Sequence, residues 1–127
     1  MTPLNTGIVL FAHGSRDPLW RAPIDAVAQA MAEQSPDCVV SCAFLELTTP
    51  DLPSTVDQMR QQGIDRVRIV PMFLGVGRHA REDLPALVAQ LREQHPHLLI
   101  ELLPSVGEHP AMTALMAQIA LGTAPNP

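Results

Sequence analysis

The sequence predicts an α/β fold in which a parallel sheet of four strands carries helices on both faces. Short apolar, β-branched runs alternate four times with longer segments of helical spacing, and this alternation is typical of βαβ units. Runs such as IVLFA and VVSCAFL are apolar on both faces, as buried strands of a parallel sheet are. Right-handed crossovers with helices on both faces favour a three-layer, flavodoxin-like arrangement with strand order 2-1-3-4.

Two strand and helix pairs are predicted in the first half of the chain. GIVLFA at 7–12 is the first strand, and helical spacing of apolar residues predicts a helix over about 20–34, which Pro36 ends. CVVSCAFL at 38–45 is the second strand. The helix after it is expected to begin near Thr49, with Pro50 at an early position and Gly63 as its C-cap.

The second half repeats the pattern. RVRIVPMF at 66–73 predicts the third strand, and the loop LGVGRHARED leads into a helix over about 80–94. LLIELL at 98–103 is the fourth strand, which Pro104 stops. The last helix is expected over about 110–121, with one apolar face formed by Met112, Leu115, Met116 and Ile119.

The 127 residues predict one compact domain rather than several, with residues 1–121 in the domain and 122–127 as a disordered tail. No apolar run approaches the roughly 18 residues of a membrane span, and the start MTPLNTGIVLFA lacks the features of a signal peptide. We therefore expect a cytoplasmic protein without a membrane partner. The net charge of −5 argues against nucleic acid as a partner.

Three side chains of metal-binding type follow three successive predicted strands. His13 comes after the first strand, Glu46 after the second, and His79 lies in the loop after the third. Ligands of open parallel sheets bind beyond the carboxyl ends of the strands, and neighbouring strands lie about 4.8 Å apart, so one ion could reach all three. Two imidazoles and a carboxylate suit Fe, Co, Ni or Zn better than Ca or Mg. Taken singly, each residue could instead be a cap or a surface acid.

Other residues leave alternatives open. Arginines cluster near both histidine segments, and their guanidinium groups would suit a polycarboxylate ligand or could simply be solvated: Arg16, Arg21, Arg78 and Arg81. The apolar stretch from Met72 to Val76 could support a flat ligand or be strand end and core. His109, near the start of the last helix, also lies at a predicted carboxyl edge, whereas Cys38 and Cys42 match no redox or zinc motif and are expected to fill the core.

Several motifs that carry chemistry are missing from the sequence. It contains no G-x-x-x-x-G-K-[ST] phosphate loop and no G-x-S-x-G nucleophile turn, and the pair Gly75 and Gly77 lacks the third glycine of a dinucleotide fingerprint. A histidine phosphatase would have Arg directly before the histidine that follows the first strand, but that position holds Ala12. ATP-driven, serine-hydrolase and phosphatase chemistry are therefore disfavoured.

Four segments in order resemble the small sirohydrochlorin chelatases of the CbiX type. They are FAHGSRDP (11–18), FLELTTPDL (44–52), VPMFLGVGRHAREDLP (70–85) and PSVGEHPAM (104–112), and together they span nearly the whole chain. The resemblance implies a class II chelatase fold. It also implies insertion of a divalent metal into sirohydrochlorin or a related tetrapyrrole without ATP, by a homodimer of short chains.

By position, the resemblance makes His13 and His79 the metal-binding and catalytic histidines and Glu46 their acidic partner. We expect Co²⁺, Fe²⁺ or Ni²⁺ to be a substrate and no cofactor to be permanently bound. Arg16, Arg78 and Arg81 are expected to pair with carboxylates of the tetrapyrrole, and Phe73 and Leu74 to support its ring. The alternative is a protein that carries the metal or the tetrapyrrole without catalysing insertion.

Overall fold

The computed structural model describes residues 5–126, in which four strands alternate with four α-helices. The strands are β1 (Thr6–Ala12), β2 (Val39–Phe44), β3 (Arg66–Pro71) and β4 (Leu99–Leu102). The helices are α1 (Ala22–Gln34), α2 (Leu52–Gln61), α3 (Arg78–Gln94) and α4 (Pro110–Leu121). All strand pairs are parallel and the order is β2-β1-β3-β4, which confirms the predicted fold class and topology.

The main hydrophobic core lies between the sheet and the helices α2 and α3. Strand residues of one face, such as Val9, Val67 and Ile69, are completely buried there against Val56 of α2 and Val88 of α3. Because side chains alternate along a strand, their neighbours in sequence point to the opposite face, where α1 and α4 lie. Neither α1 nor α4 contributes a buried residue, so the second face is covered much less completely.

Helix α2 begins later than the sequence predicted. Its N-cap is Asp51, whose carboxylate accepts the Ser54 N–H at 2.9 Å, and hydrogen bonds from Ser54 lower the pKa of that carboxyl. Pro50 therefore precedes the helix instead of occupying its first turn, and Pro53 takes the early position. Gly63 does end the helix: it has φ of +87°, and Ile64 donates its N–H to the Met59 carbonyl at 3.1 Å.

The other boundaries differ from the prediction by a few residues. Pro18–Arg21 forms a separate 3-10 turn before α1, and a second such turn, Val106–Glu108, precedes α4. The predicted domain limits and disordered tail stay predictions, and their residues 1–4 and 127 lie outside the described part. At the end of α4, Gly122 adopts φ of +75° and Thr123 donates its N–H to the Gln118 carbonyl at 2.8 Å.

Cys42 in β2 and Cys38 directly before it are free thiols at half-buried positions. Burial, together with the nearby Asp25 carboxylate, raises the pKa of the Cys42 thiol, so this thiol remains protonated at neutral pH. The Cys42 side chain therefore does not present a thiolate ligand, and both cysteines lie at the edge of the core rather than inside it as predicted. In the stretch from residue 5 to residue 126, no helix is both long and apolar enough to cross a bilayer.

Candidate metal-binding edge

The loops after β1 and β2 are joined side by side at the carboxyl edge of the sheet. The β-ladder continues beyond the two strands, because Leu45 donates its N–H to the Ala12 carbonyl at 2.9 Å and Glu46 donates to the His13 carbonyl at 3.0 Å. In the continued register His13 lies opposite Leu45 and Gly14 lies opposite Glu46, so His13 and Glu46 are one position apart, and both side chains are exposed. Two of the three residues predicted to bind metal are brought together by backbone hydrogen bonds.

Gly14 makes this close approach possible. Its φ is +100°, a conformation that other residues rarely adopt, and a Cβ at this position would overlap the carbonyl oxygen of Glu46. No L side chain fits between the two loops unless one of them moves. The glycine after His13 is therefore a requirement of the geometry that places His13 beside Glu46.

The ring of Phe73 packs against the His13 imidazole. The two ring centroids are 4.4 Å apart with an interplanar angle of 39°, and Phe73 also makes an edge contact with Phe11 at 6.1 Å. Phe73 is only 3% exposed. The ring therefore belongs to the core in this structure, and its predicted contact with a flat ligand stays a prediction. Leu74, the next residue, is 68% exposed and stays a candidate for ligand contact.

His79 lies in the first turn of α3, not in the preceding loop as predicted. The helix starts at Arg78 with Gly77 as its N-cap, two residues earlier than the sequence indicated. The His79 side chain is exposed. Within residues 5–126, no three His, Cys, Asp or Glu side chains are close enough together to hold a metal ion. The structure thus joins His13 to Glu46 and leaves His79 on a neighbouring element, outside a preformed cluster.

The three arginines predicted to bind carboxylates are all exposed, but they differ in their partners. Arg78 forms an ion pair with Glu82 at 3.2 Å, one helical turn further along α3. Among the ion pairs of the described residues, none involves Arg16 or Arg81. Arg16 in the loop after β1 and Arg81 in α3 are therefore the guanidinium groups best placed to receive a new anionic partner.

Exposed leucines lie in the loops of this edge, and only Leu74 among them was predicted to contact a ligand. Leu45 and Leu47 flank Glu46 with exposures of 42% and 52%, and Leu19 stands in the turn after β1 with 81%. Leu47 has φ of +66°, which is unusual for a residue that is not glycine. The alternation of leucine and glutamate in FLEL is a sequence signal of this exposure, although the predicted strand at 38–45 includes its first two residues. We call Leu19, Leu45, Leu47 and Leu74 the apolar rim.

The loop between β4 and α4 is attached to the loop that leads to His79. Gly107 donates its N–H to the Phe73 carbonyl at 2.9 Å, and a Cβ on Gly107 would overlap the backbone of Leu74. His109 caps α4, since its Nδ1 accepts the Ala111 N–H at 3.0 Å.

A cavity of about 470 Å³ opens beside this loop between the sheet and α4, and a second one of about 500 Å³ lies at the opposite edge. Neither is lined by His13, Glu46 or His79.

Comparisons with known proteins connect this geometry to a group of relatives. The CbiX family matches residues 7–121. The chain is similar to the sirohydrochlorin cobaltochelatase of Methanococcus aeolicus, with 31% identity over 89 residues that cover 69% of this chain and 62% of the relative. It is also similar to the chloroplastic sirohydrochlorin ferrochelatase of Arabidopsis thaliana, with 28% identity over 81% of this chain and 46% of the relative.

Two solved structures share the fold. A putative cobalamin biosynthesis CbiX protein from Marinobacter aquaeolei superposes with a TM-score of 0.78 and 30% identity, over 92% of this chain and 95% of that one. The sirohydrochlorin chelatase SirB from Bacillus subtilis, solved in complex with cobalt, superposes with a TM-score of 0.75 at 22% identity and matches half of its chain. The chain spans about three fifths of the length of the archaeal cobaltochelatases that it matches.

Proposed function

The chain belongs to the CbiX family, and from this premise we propose that it is a chelatase that inserts Co²⁺ or Fe²⁺ into sirohydrochlorin or a related tetrapyrrole without ATP. Relatives named as cobaltochelatases and a ferrochelatase support the reaction class and both metals. The observation that carries the proposal is the hydrogen bond from the Glu46 N–H to the His13 carbonyl. It holds the backbones of a histidine and a glutamate together at the edge where parallel sheets bind ligands.

We propose that His13, Glu46 and His79 bind the incoming ion, which is a substrate rather than a resident cofactor. Insertion requires that the ion lose its waters and that two pyrrole N–H groups lose their protons. Neutral imidazoles can replace water on Fe, Co or Ni, and an exposed carboxylate can accept a proton from a ring that lies above it. His79 is on a separate helix, so the three donors would converge only when the ion binds. Ni²⁺ is a further candidate because it shares this ligand preference.

The surroundings of this edge fit a large, flat, acidic ligand. The apolar rim can cover a face of the macrocycle, and guanidinium groups can pair with its carboxylates. Arg16 and Arg81 are the better candidates for this pairing, because Arg78 already contacts Glu82. Leu74 is the one member of the apolar rim that the sequence predicted to contact the tetrapyrrole.

The direct test is to mix the protein with sirohydrochlorin and, separately, with Co²⁺, Fe²⁺ and Ni²⁺ while recording absorption spectra. We expect the spectrum of the metal-free tetrapyrrole to convert to that of the metal complex faster than in buffer with the same metal, without ATP. The ranking of the three rates identifies the preferred ion. If the protein binds the tetrapyrrole but the conversion rate equals that of buffer, the protein is a carrier and the enzyme proposal is wrong.

Replacing Glu46 by Gln should separate catalysis from binding. The amide keeps the size of the side chain and its hydrogen-bonding capacity but removes its charge and basicity. We expect insertion to slow by about a hundredfold, within the range typical of general bases, while tetrapyrrole affinity changes little. The measurements are single-turnover insertion rates and fluorescence titration of the tetrapyrrole. Glu33→Gln, a change of the same type on α1, serves as the control and should leave both values unchanged. An unaltered insertion rate in Glu46→Gln would remove Glu46 from the proposed chemistry.

We further propose that the protein acts as a homodimer in the cytoplasm. One small domain offers a single wall to the macrocycle, whereas ligand sites usually enclose most of their ligand, and two-fold pairing is the commonest form of association. Free thiols at Cys38 and Cys42 fit the reducing conditions of the cytoplasm.

A further inference from the structure

The loop after β4, residues 103–109, contributes no side chain to the proposed metal site, although it ends at the same edge of the sheet. Backbone hydrogen bonds fix this loop in place. Leu103 donates its N–H to the Ile69 carbonyl of β3 at 3.0 Å, and Glu108 donates to the Ser105 carbonyl at 2.9 Å. Ser105 is itself buried. The loop after β4 is therefore held against the sheet and can in turn hold a neighbouring loop.

Gly107 joins this loop to the one that leads from β3 to His79. Its N–H donates to the Phe73 carbonyl at 2.9 Å, and a Cβ at Gly107 would overlap the carbonyl group and the Cα of Leu74. Gly107 lies in a 3-10 turn and its φ is not positive, so its backbone conformation does not require glycine. The requirement is one of size: only a residue without a side chain lets the two backbones touch here.

The first turn of α3, which carries His79, has few local contacts that fix its position. Its N-cap is Gly77, which has no side chain to accept the free N–H groups of the turn. A Cβ at Gly75 or Gly77 would meet no atom of the described residues within 4 Å, and of this stretch Val76 packs against the core. The position of His79 therefore depends on how the preceding loop is held.

We propose that Gly107 is a positioning residue for metal insertion and acts through His79. Its contact fixes the backbone of Phe73 and Leu74, and the four residues after Leu74 connect this fixed point to His79. The ring of Phe73 meanwhile packs against the His13 imidazole, with 4.4 Å between ring centroids. One fixed residue thus relates the two histidines that have to converge on the ion. The inference rests on the proposed role of His79 as a metal ligand.

The test is the binding of Co²⁺ to the protein without tetrapyrrole, measured by titration calorimetry and by the visible absorption of the bound ion. Gly107→Ala adds a methyl group that displaces Leu74. We expect Co²⁺ affinity to fall about tenfold to a hundredfold, the range for residues that orient metal ligands, and the absorption to resemble that of His79→Ala. Gly75→Ala is the matched control, because it makes the same change in open space, and it should keep the unaltered affinity.

A double-mutant cycle distinguishes positioning from a general loosening of the structure. In a protein that already carries His79→Ala, adding Gly107→Ala should change Co²⁺ affinity by less than about twofold, because the residue through which it acts is absent. An equal loss of affinity with and without His79 would overturn the positioning role. Unaltered Co²⁺ affinity in Gly107→Ala, with circular dichroism showing a folded protein, would overturn it as well.

A second variant keeps the test decisive if Gly107→Ala does not fold. Insertion of one glycine between Leu74 and Gly75 leaves the contact of Gly107 intact and lengthens the connection to His79. We expect a similar loss of Co²⁺ affinity, and an unchanged affinity would contradict the proposal. If His79→Ala binds Co²⁺ as tightly as the unaltered protein, the proposed metal site and the positioning role both fail. If His79→Ala binds weakly while both loop variants bind normally, only the positioning role fails.

Discussion

His13→Ala and His79→Ala are each expected to reduce metal insertion at least about a hundredfold while leaving the fold intact. Loss of groups that only orient metal ligands typically costs ten- to a hundredfold, and loss of a ligand itself should cost at least as much. Both side chains are exposed, so their truncation creates no cavity in the core. His13 also contacts the ring of Phe73, so a small loss of stability is expected for His13→Ala but not for His79→Ala.

The measurements are insertion rates, metal affinity by titration calorimetry, and thermal unfolding. His97→Ala is the matched control, because His97 is exposed in the turn before β4, at the opposite edge of the sheet. It should keep full insertion activity. If both His13→Ala and His79→Ala insert metal at the rate of the unaltered protein, the assignment of this edge as the metal site is wrong, whatever the family of the chain.

Gly14→Ala is expected to abolish insertion and to destabilise the fold by roughly 3 kcal/mol, the combined cost of an unfavourable φ and an overpacked contact. The added Cβ would overlap the Glu46 carbonyl oxygen, so one of the two loops must move. That movement breaks the hydrogen bond from the Glu46 N–H to the His13 carbonyl and separates the two candidate ligands. Thermal unfolding and the insertion assay measure the two effects.

Gly63→Ala separates the cost of backbone conformation from the cost of the close contact. Gly63 also has a positive φ, +87°, but a Cβ there meets no atom within 4 Å. This control should lose only about 1 kcal/mol and retain insertion activity, because Gly63 lies at the other edge of the sheet. Equal loss of stability in the two variants would show that the contact with Glu46 contributes nothing.

The apolar pattern of the sequence predicted the number, type and order of the elements. A sheet that is buried on both faces requires apolar residues at nearly every strand position, so the strands can be recognised in the sequence. The runs at 7–12 and 38–45 are apolar on both faces for this reason, and the crossover rule then restricts the strand order. The ends of the elements were harder to predict. Asp51 rather than Thr49 caps α2, and Gly77 caps α3 without a side-chain hydrogen bond. Caps depend on local backbone angles, which composition does not specify.

The residue types at the strand ends were sufficient to identify His13, Glu46 and His79 as one group of candidates, because a parallel sheet brings the carboxyl ends of its strands to one edge. Only the tertiary structure shows which of their backbones are joined and on which element each lies. It joins His13 to Glu46 across Gly14, buries Phe73 beneath the imidazole, and places His79 in a helix. These facts depend on contacts between loops far apart in sequence. A linear pattern determines which side chains reach an edge, whereas packing between loops decides which of them touch.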